Sequence, residues 1–156
     1  MFDVPFDAWY AWLGVALASV AVFGTAWSLP ATPPPDAAGV ADTVDSVAAS
    51  DHPTTAEHPL EAATIELGPH RLELRNDGGA AHATFAFGPV TPVGRGSRLE
   101  AVLYGTPPER AFASPEAFKQ ALIEARTREP TRTSVERTLV ARRVSWEGVD
   151  ATLVGA

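Results

Sequence analysis

The sequence has no cysteine, which removes any disulfide framework and any thiolate metal site. Lysine is nearly absent too. Lys119 is the only one, and arginine supplies the rest of the 12 basic residues. No basic residue precedes Arg71, so the chain start lacks the positive region of a secretory signal. A net charge of −7 leaves no basic footprint for nucleic acid. The four histidines, His52, His58, His70 and His82, are spaced 6, 12 and 12 apart, which matches no zinc pattern. Gly94-Arg95-Gly96-Ser97 lacks the ending of a phosphate loop and reads as a turn, and no G-x-S-x-G elbow occurs. No catalytic, cofactor-binding or metal-binding set follows from these residues, and an enzyme is not expected.

What is present begins with Ala8–Leu29, 22 residues without a charge. As a helix this run is about 33 Å long, enough to cross a hydrocarbon core of about 30 Å. Trp9, Tyr10 and Trp12 mark one end and Trp27 the other, the placement of interfacial aromatic belts. Ser19 and Thr25 are too few to make the polar face of a surface helix. The reading is an uncleaved transmembrane helix over 8–29 after a short acidic tail, 1–7. Ala11, Gly14, Ala18, Ala21 and Thr25 recur at spacings of three and four. Such a small-residue stripe lets membrane helices pair closely, and chance in an alanine-rich helix produces the same stripe. With no Lys or Arg near either end, orientation rests on the slightly less negative upstream flank, which places the distal domain outside the cell membrane.

Residues 30–60 read as a linker. Pro33-Pro34-Pro35 is a stiff extended spacer. Val40, Val44 and Val47 then fall at helical spacing behind Asp36, a capping residue. Asp51 to Pro59 reads as a loop. Seven acids and no bases lie between Pro30 and His70, against ten acids and all 12 bases from Arg71 onward. The membrane-proximal part is therefore anionic. The acid excess, with arginine in place of lysine, fits adaptation to high salt, and an ordinary acidic domain gives the same balance.

From residue 61 to 156 the pattern predicts an α+β domain: a small antiparallel sheet of about six strands under one main covering helix. Ile65 and Leu67, Leu72 and Leu74, and Ala83, Phe85 and Phe87 alternate as a three-strand meander, with Asn76-Asp77-Gly78-Gly79 as a turn. Leu99–Tyr104 reads as the next strand. Ser114-Pro115-Glu116 opens a helix that Pro130 stops, with Glu124 and Arg128 paired on its outside. Thr138–Trp146 and Val149–Val154 flank Glu147-Gly148 as a closing hairpin. Ile65, Leu72, Leu74, Phe85, Phe87, Leu99, Leu103, Phe118, Leu122, Leu139 and Trp146 are the core candidates.

The most notable polar feature is the set Arg126, Arg128, Arg132, Arg137, Arg142 and Arg143. It is a candidate docking surface for an acidic partner, against the plainer reading of solvated charges paired to Glu129, Glu136 and Glu147. Arg142 and Arg143 point to opposite faces of a strand, so one must lie on the covered side or at an edge and is expected to have a carboxylate partner.

The start MFDVPFDAWYAWLG, the segment PPPDAAGVADTVDSVAAS, the run HATFAFGPVTPV and the end RRVSWEGVDATLVG together resemble a family of small haloarchaeal membrane proteins without an assigned activity. The resemblance implies a single-pass anchor in the cell membrane and an association with type IV pilus-like secretion components. A pilin itself is not expected, because the basic pre-pilin signal is missing and Pro30–Pro35 breaks the long filament helix. The expected function is thus a non-enzymatic accessory component of a pilus-like or secretion assembly. Its expected partners are the lipid bilayer and other membrane proteins or further copies of the span. The alternative is a tethered solute- or ion-binding module using His52 and His58 with Asp51 and Glu57.

Overall fold

A computed structural model describes residues 6–27, 32–135 and 137–156. The chain divides into two compact units, 1–32 and 33–156.

The first unit is helix α1, Phe6–Trp27. Trp9, Tyr10, Trp12, Leu13, Val15, Leu17, Val20, Val22 and Phe23 are all exposed on it. Its side chains are described from Trp9 to Gly24, which measure about 24 Å, short of a hydrocarbon core of about 30 Å. Among the described residues no helix is long and apolar enough to cross a membrane. Ser28 and Leu29, the far end of the expected span, lie outside the described residues, as do the side chains of Ala8, Thr25 and Trp27.

The second unit is α+β. It contains helices α2 (Ala37–Ala48), α3 (Arg98–Leu103), α4 (Pro108–Ala111) and α5 (Pro115–Thr127). Its strands are β1 (Thr55–Pro59), β2 (Thr64–Leu67), β3 (Arg71–Asn76), β4 (Gly79–Thr84), β5 (Thr91–Pro92), β6 (Arg132–Ser134), β7 (Thr138–Trp146) and β8 (Val149–Gly155). They form two four-stranded sheets, ordered β1-β7-β8-β5 and β4-β3-β2-β6, in place of one sheet of about six strands. Every pairing is antiparallel except β5 with β8.

Helix α2 explains the two sheets. It packs against β1 and β7 of one and against β3 and β4 of the other. Val40, Val44 and Val47 are buried in one cluster with Ile65, Leu72, Leu74, Leu139 and Val154. Burial of each valine stabilises the unit by about 1.5–3 kcal/mol. The segment expected as a linker therefore supplies the centre of the fold. Asp36 caps α2, its Oδ1 accepting from Gly39 N–H at 2.9 Å. A Cβ at Gly39 would meet the Asp36 carboxylate, so a larger residue there would make the capping side chain shift.

The other face of the first sheet is covered by α3, α4 and α5, not by one helix. Phe118 is fully buried on α5, with its ring centroid 5.3 Å from Phe112 and 6.1 Å from Trp146. Val140, Val144, Ala151 and Leu153 line that side, while Ala141 and Val154 face α2. The hairpin forms as expected at Glu147-Gly148, where both residues adopt positive φ, 46° and 81°, as a two-residue turn with the right twist requires.

Three local expectations are corrected. The expected strand Leu99–Tyr104 is instead helix α3 ending at Leu103, because Ser97 accepts from Glu100 N–H while the Glu100 carboxylate accepts from Gly96 N–H at 2.6 Å, a variant of the capping box. The Gly94–Ser97 turn therefore does lead into a helix. Residues 55–59 are not loop but an edge strand, a position that tolerates Pro59 at its end. Strand β4 ends at Thr84 rather than continuing through Phe87, and Phe87 is 56% exposed instead of core.

Candidate functional site

The six arginines singled out in the sequence are distributed over several elements. Arg132 on β6 pairs with Glu73 at 3.1 Å and Glu66 at 3.5 Å, across the neighbouring strands of the second sheet. The Arg75 guanidinium donates to the same Glu73 carboxylate and, with Arg132 and His82 nearby, holds it below the usual glutamate range, outweighing partial desolvation. Arg128 pairs with Glu124 at 3.3 Å, as expected; both are exposed, so the pair contributes little. Arg137 lines a hollow of ≈540 Å³ with Glu57, Tyr104, Thr138 and Val140. Glu136 lies outside the described residues.

Arg142 and Arg143 are both half-buried on β7. The partner of Arg143 is not the expected carboxylate. Its Nη1 donates to Ala48 O at 2.9 Å, at the last turn of α2. A helix C-terminus presents unpaired carbonyls and a partial negative charge, and a guanidinium satisfies both. Arg126, in the last turn of α5, donates from Nε to Thr91 Oγ1 at 2.8 Å. Thr91 is fully buried, and burial lowers the Arg126 pKa from its ordinary value.

Arg126 and Arg143 are brought together. Both line one notch of ≈330 Å³, with Phe87, Pro89, Asp150 and Thr152. Among the described residues neither makes an ion pair with a carboxylate. Of the notch residues the sequence marks the two arginines as a docking candidate and Phe87 as core, but not Asp150 or Thr152. The available signal was Thr152, a polar residue inside the otherwise apolar end of β8.

The linker histidines His52 and His58 form no metal-holding group among the described residues. His58 on β1 bonds through Nδ1 with Thr43 Oγ1 of α2 at 2.8 Å, and His52 is exposed. Among the described residues no three His, Asp or Glu side chains are grouped to hold a metal ion. On α1, Ala11, Gly14, Ala18 and Ala21 are exposed, and a Cβ added at Gly14 meets nothing within 4 Å. The Thr25 side chain lies outside the described residues.

Residues 3–144 match a family of unknown function, DUF7283. No curated protein and no solved structure matches the chain.

Proposed function

We propose that this chain, which belongs to the DUF7283 family, is a membrane-tethered accessory component of a pilus-like or secretion assembly in the cell envelope. The observation that carries the tether is α1: Trp9, Tyr10, Trp12, Leu17, Val20 and Phe23 are each more than 60% exposed on a helix with no charge after Asp7. An exposed apolar surface of that size calls for an apolar medium or a partner. As a helix throughout, the uncharged sequence run Ala8–Leu29 would be about 33 Å long, bilayer length. The 33–156 unit then makes the protein contacts, outside the membrane by the balance of flanking charges.

Two measurements test this. After alkaline extraction of the source membranes the protein is expected in the pellet, and release into the supernatant would overturn the anchor. Affinity purification of the native complex is expected to recover membrane components of a pilus-type machine. Repeated recovery of the protein alone would overturn the assembly role.

A further inference from the structure

The notch between Arg126 and Arg143 sits where the first sheet is incomplete. Strand β5 is two residues long and pairs only with Leu153 and Val154 of β8. Val154 O accepts from Val93 N–H on that side. Main-chain groups in a strand alternate with a period of two, so the N–H and C=O of Thr152 and Asp150 point toward the same edge as those of Val154. The parallel register takes up the Thr152 C=O with Thr91, and among the described residues no strand continues beyond Thr91 alongside the Thr152 N–H.

The two guanidiniums flank this gap from opposite sides. Arg143 pairs across β7–β8 with Thr152, on the face toward α2. Arg126 reaches the sheet edge from α5, on the other face, where it meets Thr91. Each is held by one bond to the fold, Nη1 to Ala48 O and Nε to Thr91 Oγ1, with its other N–H groups left over. A half-buried guanidinium without a carboxylate beside it favours an anion there. The one acid on the lining, Asp150, is exposed at the rim. Phe87 and Pro89 form an apolar wall.

We infer that this notch is an oxyanion-binding site, built from the Arg126 and Arg143 guanidiniums and the Thr152 main-chain N–H, for a small phosphate- or carboxylate-bearing molecule. It is independent of the tether proposed above, since every residue in it belongs to the 33–156 unit. Guanidinium forks match both anions, and hydrogen bonds of this charged kind are the strong ones. Asp150 opposes the anion and weakens binding.

The test is titration of the full chain in a non-ionic detergent, at low ionic strength, with inorganic phosphate and separately with acetate. It is followed by calorimetry and by the amide resonance of Thr152. At least one probe is expected to bind saturably and to shift that resonance, and the tighter one names the class, phosphoryl or carboxylate. R126Q should weaken binding by about tenfold, the equivalent of about 1.4 kcal/mol. D150N, at an exposed position that does not threaten folding, should tighten it. The inference is overturned if neither probe moves the Thr152 amide, or if D150N and R126Q both leave the affinity unchanged.

Discussion

Asp45 of α2 holds the chain at Phe87: its Oδ1 accepts from Phe87 N–H at 3.0 Å while Oδ2 accepts from Ala86 N–H, also at 3.0 Å. One carboxylate thus takes the donors of two consecutive residues and ends β4. It also fixes the loop that carries Phe87 and Pro89 to the wall of the notch. Asp45→Ala leaves both donors without their partner and should cost about 1–3 kcal/mol, read by denaturant unfolding. Hydrogen exchange at Ala86 and Phe87 should accelerate more than exchange across the sheets. Unchanged protection there would show that the carboxylate does not hold this loop.

The Glu73 carboxylate, beside Arg75 and Arg132, has a folded-state pKa below its ordinary value. It therefore contributes stability above the ordinary glutamate range, and loses that contribution as pH falls through the depressed value. Glu73→Gln should lower stability at neutral pH and match the parent protein once the solution is acidic enough to protonate the glutamate. Melting temperatures of both proteins across that range check the prediction. A pH-independent difference would assign the loss to packing instead.

Phe118 fills the space between α4, α5 and the hairpin, in contact with Phe112 and Trp146. Phe118→Ala should cost about 3–5 kcal/mol, a large share of the stability of a small domain. A thermal melt and the near-ultraviolet signal of Trp146 should report the loss together.

On α1, Gly14→Leu or Ala18→Leu should reduce any helix pairing several-fold in a membrane two-hybrid assay, because a bulky side chain separates the backbones. Equal signal from parent and variants would remove the small-residue face from consideration.

The sequence was most legible where local chemistry and tertiary packing agree. Ser114-Pro115 opens α5, and Asn76-Asp77-Gly78-Gly79 and Glu147-Gly148 turn the chain, as their residue types dictate. Leu99 and Leu103 are in the core as expected but on a helix, because the Ser97 cap and the Glu100 carboxylate's bond to Gly96 N–H open a helix where the pattern reads as a turn and a strand. The valines of α2 read, from sequence, as a short helix in a linker. A short apolar stripe does not reveal that two sheets will close on it, since that depends on partners as distant in sequence as Leu139 and Val154. The notch was least legible. Its arginines come from α5 and β7 and its main-chain donor from β8, and only the short β5 leaves that edge open.

Helix α2 has a mechanical consequence. Pro33, Pro34 and Pro35 run stiffly into it with only Asp36 between. A pull on the chain at Thr32 is therefore delivered, within a few residues, to the element that both sheets share. Drawing α2 out would strip the inner faces of β3 and β7 in one event. Under tension the unit should hold rigidly and then yield in a single step, rather than unravel strand by strand.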